Sequence, residues 1–289
     1  MIPPTFEYYA PSNVSEAIAL LSQHGDDAKL LAGGHSLLPM MKLRFAEPEH
    51  LIDLNNINEL RGIREEGGVV VIGAMTIENA LISSDILKKQ VPLLPEAAQL
   101  IADPQVRNRG TIGGDIAHGD PGNDHPALML ALDAVFTLTG PNGSREVNAT
   151  DFFLGMYYTA LEADEILTEI RIKPQAQNCG SSYHKLKRKT GDYATAAAAV
   201  FVEMSGDTCQ SARIALTNLA PSAIRVPEAE NLLAGNTLND ELISGVVKAV
   251  MSACEPAEDL RGDVEYKTHM GGEMARRALI EAVSRAGGN

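Results

Sequence analysis

The sequence predicts a mixed α+β fold in which a larger N-terminal part is joined to a smaller C-terminal part. Helical and strand-like periods are interspersed up to about residue 172. A polar stretch rich in Pro, Gly, Ser and Asn follows at 174–182, and its composition is typical of a linker. Beyond the linker, strand-like runs precede helical runs, and this order indicates an α+β unit.

Local signals define the first elements of the chain. Asn13, with Glu16 three residues later, forms a capping-box pattern for a helix that Gly25 is expected to end. Short apolar runs then predict buried strands in "AKLLAG", in "EHLIDL" (49–54) and in "GVVVIGA" (68–74).

Helices and a hairpin are expected next. Thr76 is the predicted N-cap of a helix in "TIENALIS", and Pro104 is predicted to end the helix in "LPEAAQLIA" (94–102). The pattern indicates an apolar helix in "HPALMLALDA", a hairpin in "AVFTLTGPNGSREV" and a half-buried strand in "EILTEIRI" (165–172). The C-terminal part has strand patterns in "TAAAAVFVEM" and "ARIALTNLA" and helical patterns in "PEAENLLAG", "NDELISGVVKAVMSA" and "GEMARRALIEAVSRA".

Composition excludes several classes of function. The net charge of −14 disfavours binding to nucleic acid or to an anionic membrane surface, since both require a cationic face. The three cysteines are far apart, so we expect core thiols in a reducing compartment, the cytoplasm, rather than disulfides. They are also too few for an iron–sulfur cluster, which needs four thiolates. We expect neither a secretory signal nor a transmembrane segment.

Two stretches with paired glycines are the best candidates for a binding site. They are "LLAGGHSLLPMMKLR" (30–44) and "RNRGTIGGDIAHGDPGND" (107–124). Glycine allows backbone N–H groups to point into a concavity, and successive N–H groups bind anions. The two loops could therefore hold a diphosphate between them, and the alternative is a pair of tight turns that bind nothing. The dinucleotide fingerprint Gly-x-Gly-x-x-Gly and the P-loop pattern are both absent.

Two further stretches carry polar side chains that could contact a ligand. "HGDPGNDH" (118–125) predicts a turn with a single ligand contact, for which Asp124 is the candidate, or alternatively a metal cluster. "KLKRKTGDY" (185–193) is either a solvated strand end or a place where one lysine faces a phosphate and Tyr193 faces a planar ligand. No catalytic nucleophile is evident, so a cofactor that supplies its own reactivity is the simplest interpretation.

These motifs together resemble one known family. "AGGHSLLPMMKLR", "QVRNRGTIGGDIAHGDPGNDHPALM" and "KLKRKTGDYATAAAAV" are similar to segments of the FAD-binding medium subunits of molybdenum hydroxylases, the xanthine dehydrogenase family. Within that family the likeness is greatest to the medium subunits of aerobic carbon monoxide dehydrogenases, and it covers essentially the whole chain. The resemblance implies a PCMH-type FAD-binding fold, shared with vanillyl-alcohol oxidase, followed by a C-terminal α+β domain.

The resemblance also implies domain bounds and site residues. The FAD-binding domain would span 1–177, in subdomains of about 1–55 and 56–177, and the C-terminal domain 178–289. No catalytic residue and no metal ligand is implied for this chain. The implied FAD contacts are Ala32, Gly33, Gly34, His35, Ser36, Ile101, Thr111, Ile112, Gly113, Gly114, Asp115, Asp124, Leu167, Lys187 and Tyr193.

The implied function is electron transfer within a larger enzyme. A large subunit would hold molybdopterin, a small subunit would hold two [2Fe–2S] clusters, and the assembly would be a dimer of heterotrimers. Electrons would pass from the clusters through FAD to a quinone, with possible peripheral membrane association, or to another acceptor. Carbon monoxide, an N-heteroaromatic compound and an aldehyde stay open as substrates. A stand-alone FAD oxidase and a binding module without cofactor are the alternatives from other classes.

One departure from the family pattern concerns the second glycine motif. The family usually has Asn where this chain has Asp115, and Asn is also usual at His118. A carboxylate next to a diphosphate is unfavourable unless it points away or is compensated. The local hydrogen bonding in this motif is therefore expected to differ from that of the family.

Overall fold

The N-terminal part of the chain is a small parallel sheet with two helices. A computed structural model describes residues 2–287. The first elements in chain order are β1 (Glu7–Tyr9), α1 (Val14–His24), β2 (Ala28–Leu31), α2 (Leu37–Leu43) and β3 (His50–Asp53). β3 lies between β1 and β2 and runs parallel to both. Short 3-10 helices follow α1 and β3, at Gly25–Asp27, Leu54–Asn56 and Asn58–Leu60.

Helix α1 begins and ends where its sequence signals predict. The Asn13 side chain accepts a hydrogen bond from the N–H of Glu16, and Gly25 ends the helix with a φ of +56°. The Glu16 carboxylate accepts from the N–H of Ser12, one residue before the N-cap. One orphan donor at the helix start, the N–H of Glu16, is thus satisfied by the cap, and the reciprocal bond of the capping box is shifted by one residue.

The second part is an antiparallel sheet covered by helices. Its elements are β4 (Ile63–Glu66), β5 (Val69–Gly73), α3 (Glu78–Ser83), α4 (Asp85–Gln90), α5 (Leu93–Ala98), α6 (Pro104–Arg107), α7 (Ile112–His118), α8 (His125–Ala131), β6 (Val135–Gly140), β7 (Gly143–Asn148), α9 (Ala149–Phe152), β8 (Phe153–Gly155), β9 (Tyr158–Thr159) and β10 (Ile166–Ile172). The strand order is β4–β5–β10–β6–β7, and β8 pairs with β9 separately. The predicted hairpin is confirmed as β6 and β7. β10 is more buried than expected, since it lies at the centre of this sheet.

The third part is an antiparallel sheet with helices on its outer face. Its elements are β11 (Cys179–Leu186), β12 (Ala196–Ser205), β13 (Thr208–Thr217), β14 (Ile224–Arg225), α10 (Pro227–Leu233), β15 (Asn236–Thr237), α11 (Asp240–Ala253) and α12 (Val264–Ala286). The strand order is β11–β12–β13–β14, with β15 on β13. These elements confirm the mixed α+β class, with strands preceding helices in the C-terminal part.

Strand β12 is buried on both faces and joins the second and third parts. Ala197, Ala199 and Phe201 belong to the core that extends beneath α8. The alternate residues, including Ala198 and Val200, pack into a separate core under the C-terminal helices. Small side chains allow helices to approach this strand from both sides. A Cβ at Gly180 on the neighbouring strand would lie 1.9 Å from a backbone oxygen of α12, so only glycine fits there.

Three expectations about helix ends are wrong. Thr76 does not cap α3, because its hydroxyl bonds the backbone of Gly62 and the N-cap position is Ile77. α5 ends before Gln99, and Pro104 begins α6 instead of ending the preceding helix, since Asp103 caps it there. The second glycine pair, expected in a loop, lies in the first turn of α7.

The linker is shorter than predicted, because β11 already begins at its sixth residue.

Helices of membrane-spanning length and hydropathy are absent from the part of the chain that the structure describes.

Candidate functional site

A cleft of about 720 Å³ opens where the three parts of the chain meet. Its walls come from the turn after β2, the start of α7, the segment between α5 and α6, the strand β10 and the segment around the end of β11. Cofactor and small-molecule sites are typically about 300–1,000 Å³ in volume. The cleft is therefore large enough for an extended cofactor, and it is the candidate site.

The first glycine motif forms one wall of the cleft with free backbone donors. It is the turn between β2 and α2, residues 32–36, and Gly34 adopts a φ of +76° that favours glycine. Within residues 2–287, the backbone N–H groups of Gly33, Gly34, His35 and Ser36 have no hydrogen-bond acceptor. Four consecutive donors without an internal partner at a cleft wall suit an anionic group.

The second glycine motif is built differently. Thr111 is the N-cap of α7, and its hydroxyl accepts from the N–H of Gly114. The N–H of Gly113 donates to Ala74 O at 2.8 Å, and the N–H of Asp115 donates to Thr111 O at 3.0 Å. The amides of this motif are thus largely used inside the protein. Its glycines are needed for close packing more than for donating to a ligand.

The two glycine motifs lie against each other. A Cβ built on Gly33 would lie 2.4 Å from Arg109 O, and one on Gly113 would lie 2.4 Å from the Cβ of Ala74. A Cβ on Gly114 would lie 3.2 Å from the Cβ of Ala32. A side chain at Gly33 or Gly113 would therefore collide with protein atoms instead of filling the cleft. The glycines bring the two motifs into one site by allowing their backbones to touch.

Two buried ion pairs lie beneath the cleft. His125 Nε2 is 2.9 Å from Glu78 Oε2, and these side chains are 0% and 3% exposed. Lys185 Nζ is 2.6 Å from Asp124 Oδ2, and these are 1% and 6% exposed. Burial alone lowers the pKa of His125, but the Glu78 carboxylate outweighs it, and the pKa is raised to about 9. The imidazole is therefore cationic at neutral pH.

Asp124 is held by two donors at once. Its Oδ1 accepts from the hydroxyl of Tyr183, and its Oδ2 accepts from the ammonium of Lys185. Burial, together with the Asp124 carboxylate, raises the pKa of Tyr183 well above its usual value, so the phenol is a permanent donor. The carboxylate faces the cleft in a fixed orientation, with its remaining lone pairs available to a ligand.

The segment after β11 forms a third wall, fixed by a paired carboxylate. Asp192 accepts from Arg188 at 2.7 Å and from Arg261 at 2.8 Å. Burial alone would raise the pKa of Asp192, but the two guanidinium groups lower it to about 2. The neighbouring Tyr193 is 43% exposed, and the Arg261 guanidinium lies 5.5 Å from its ring centroid. An aromatic face is thus held at the cleft, where a planar ring could stack on it.

The structure brings most of the predicted site residues together. Those that line the cleft are Ala32, Gly33, Gly34, His35, Ser36, Ile101, Thr111, Gly113, Gly114, Asp115, Asp124, Leu167 and Tyr193. Ile112 and Lys187 do not line it. Ile112 is fully buried and its N–H donates to Thr76 O, whereas the Lys187 ammonium donates to Leu100 O at 3.0 Å.

Several residues that line the cleft are not among the implied FAD contacts. Lys185, His118, Asn123 and Tyr157 all line the cleft. Strand alternation provides a signal for Lys185. This lysine lies two residues after Tyr183 on β11, so the two side chains point to the same face of the sheet. The ammonium of this lysine is already paired with a carboxylate. Tyr157 lies on the β8–β9 turn with a φ of +55°, and no local pattern predicted its place at the site.

Metal ligation and disulfides are not supported by the geometry. Among residues 2–287, no group of three or more His, Cys, Asp or Glu side chains could hold a metal ion. The "HGDPGNDH" stretch is instead a turn that leads into α8. Cys179, Cys209 and Cys254 are free thiols in the structure, and Cys254 is only partly buried.

Comparison with known proteins identifies the family. Residues 4–175 match the family described as "FAD binding domain in molybdopterin dehydrogenase", and residues 181–282 match "CO dehydrogenase flavoprotein C-terminal domain". The chain therefore belongs to the family of FAD-binding subunits of molybdenum hydroxylases. It is an oxidoreductase subunit with FAD as its cofactor, as its sequence motifs predicted.

Individual relatives are similar over nearly the whole chain. The carbon monoxide dehydrogenase medium chain of Hydrogenophaga pseudoflava is 63% identical, with 99% of each chain covered. The carbon monoxide dehydrogenase medium chain of Afipia carboxidovorans is 52% identical, again with 99% of each covered. A solved structure of the carbon monoxide dehydrogenase from Hydrogenophaga pseudoflava, lacking the Mo-pyranopterin moiety, has a TM-score of 0.98 at 64% identity, with 99% of each chain covered.

Proposed function

We propose that this chain holds FAD in the cleft and transfers electrons through it as the medium subunit of a carbon monoxide dehydrogenase. The observation that carries the proposal is the run of four amides, Gly33 to Ser36, that have no acceptor within the described residues and line a cleft of cofactor size. Relatives that bear the name carbon monoxide dehydrogenase medium chain share 63% and 52% of its residues. Both observations favour a dinucleotide cofactor with an anionic centre.

The proposed binding mode begins at the glycine motifs. The amides of residues 32–36 donate to the diphosphate, and residues 111–115 lie against its other side. Donation by several fixed amides stabilises the charge without the entropic cost of ordering long side chains. Ile112 and Lys187 belong to this site as supports, since Ile112 anchors α7 and Lys187 fixes the backbone before Ile101.

The remaining contacts divide between the sugar and the ring. Asp124 accepts from a hydroxyl of the nucleotide, and its fixed orientation comes from Tyr183 and Lys185. Ile101 and Leu167 offer apolar surface, and Tyr193 offers its ring face to the isoalloxazine. Bound FAD supplies the redox chemistry, because a flavin can exchange electrons singly or in pairs. In this proposal the residues of the chain bind and orient the cofactor, and none acts as a general acid or base on substrate.

The proposal places the other redox groups in partner chains. This chain has three cysteines, none forming a cluster site, so it does not supply the thiolates of [2Fe–2S] clusters. We assign those clusters to a small subunit and molybdopterin to a large subunit, in a cytoplasmic dimer of heterotrimers. A quinone at the membrane surface is the proposed acceptor. Residues 1–177 form the proposed FAD-binding domain and residues 178–289 the C-terminal domain.

The test is native isolation of the complex through a tag on this chain. We expect one FAD per copy of the chain, molybdenum and iron in co-purifying chains, and dye reduction that depends on carbon monoxide. Reduction by an N-heteroaromatic compound or an aldehyde instead would replace the proposed substrate and leave the subunit role intact. A yellow chain that oxidises a small substrate without partners would refute the subunit role.

A further inference from the structure

One acidic side chain at the cleft has a buried oxygen without a partner. Asp115 lies in the first turn of α7 and lines the cleft. Its Oδ1 is enclosed, yet it makes no hydrogen bond within the described residues. A buried polar atom without a partner is costly, and it is usually satisfied by a group that binds there. Asp115 is therefore a candidate for direct contact with a bound ligand.

The charges around Asp115 are already balanced without it. His125 of α8 is paired with Glu78 of α3, and Lys185 of β11 is paired with Asp124 at the start of α8. Both cations are thus committed to other carboxylates. An ionised Asp115 would give this buried group of five side chains a net charge of −1.

Burial and the neighbouring carboxylates all raise the pKa of Asp115. Burial raises its pKa to about 8, and the carboxylates of Glu78, Asp124 and Asp120 add to this effect, while cationic His125 opposes it in part. The phenols of Tyr183 and Tyr193 also face this region, and burial raises the pKa of each, so neither adds a charge near neutral pH. The carboxyl group of the free chain is therefore protonated at pH 7.

We propose that Asp115 binds the cofactor as a neutral carboxylic acid and donates its proton in a hydrogen bond to an acceptor atom of FAD. The inference rests on the proposed function, that the cleft holds FAD. A protonated carboxyl group offers one donor and one acceptor, as a carboxamide does, so it can lie beside an anionic cofactor without repulsion. The ionised group would offer acceptors only and would repel a diphosphate.

The consequence is a specific pH dependence of FAD binding. Above pH 8 the free chain loses the Asp115 proton, and FAD binding must restore it. The FAD dissociation constant is expected to rise about tenfold between pH 7 and pH 9 for the native chain. In Asp115→Asn the amide keeps the donor and cannot titrate, so its dissociation constant should stay within about twofold over this range.

Flavin fluorescence during titration of the full-length, FAD-depleted chain gives these constants. Glu162→Gln is the matched control, since it removes one exposed carboxylate of the cleft and should keep the native pH dependence. His125 also loses its proton near pH 9, and Asp115 is one of the groups that raise its pKa, so His125→Gln is titrated with FAD as a second control in which the rise of the dissociation constant should persist. An equal rise in the native chain and in Asp115→Asn would overturn the inference.

Two measurements on the native chain make the test independent of the variant. Calorimetry in buffers of different ionisation enthalpy should show nearly one proton taken up per FAD bound at pH 9. Infrared spectra at pH 7 should contain the carbonyl band of a protonated carboxylic acid, which Asp115→Asn lacks. FAD binding without proton uptake and without that band would overturn the inference while leaving the proposed function intact. A chain that binds no FAD at any pH would overturn both.

Discussion

Replacing Lys185 by Met should destabilise the chain far more than the same change at Lys187. The Lys185 side chain is 1% exposed and is the cationic partner of buried Asp124, at 2.6 Å. Its loss leaves a buried carboxylate without a counter-charge, which costs about 3–5 kcal/mol in comparable pairs. Lys187 is only partly buried and donates a single hydrogen bond to Leu100 O, so its replacement should cost about 1 kcal/mol.

The assay is urea unfolding of the full-length chain at pH 7, followed by far-UV circular dichroism because the chain has no tryptophan. We expect a much lower midpoint for Lys185→Met than for Lys187→Met. The double variant Lys185→Met/Asp124→Asn should regain most of the loss, because it leaves no unpaired carboxylate at this position and Asn can still accept from Tyr183. Equal midpoints for the two single variants, or a double variant no more stable than Lys185→Met, would refute this reasoning.

Three further predictions concern the glycine motif, the arginine support and the buried histidine. Gly33→Ala places a Cβ 2.4 Å from a backbone oxygen of the second motif, so FAD content of the purified chain should fall sharply, whereas Gly245→Ala, in a helix with space around it, should keep full content. Arg261→Gln removes a donor from Asp192, so amide exchange in 188–193 should accelerate about tenfold; unchanged exchange would contradict its role. Burial lowers the pKa of His125, but its carboxylate partner Glu78 outweighs this and raises the pKa from 6.5 to about 9. The ion pair therefore stabilises the folded chain fully below pH 6.5, and this stabilisation is lost as the pH rises through 9. The thermal midpoint should therefore fall over that range, and less steeply in His125→Gln.

Local signals in the sequence were sufficient to predict most of the elements. Helix α1 begins after Asn13 and ends at Gly25 as expected, and the hairpin of β6 and β7 follows from its turn residues. The apolar run of β12 predicted a strand, although not that both of its faces would be buried. These features depend on neighbours in sequence, and this is why a single sequence reveals them.

Features that depend on distant neighbours were not predictable in the same way. Thr76 has the residue type of an N-cap, but a better partner is available in Gly62, fourteen residues earlier. Pro104 is compatible with both a helix end and a first helical position, and the carboxylate of Asp103 decides between them. Local chemistry allowed both outcomes in each case, and tertiary contacts selected one.

The candidate site shows the same division. The paired glycines in the sequence were sufficient to locate the cleft, because glycine at a close backbone approach is a strong local signal. Their roles were not distinguishable in the sequence: Gly33 belongs to a turn with free amides, whereas Gly113 packs on Ala74 with its amide satisfied. Lys185 and Lys187 likewise have the same residue type, and Lys187 directly follows the last residue of β11, yet Lys185 is the one that meets Asp124.

The most direct test of the account is a structure of the native complex with its cofactor. We expect an FAD diphosphate within hydrogen-bond distance of the backbone N–H groups of Gly33 to Ser36, with the isoalloxazine at the Tyr193 side of the cleft. A diphosphate bound elsewhere, with these four amides facing only solvent, would contradict the assignment of the glycine motifs as the cofactor site.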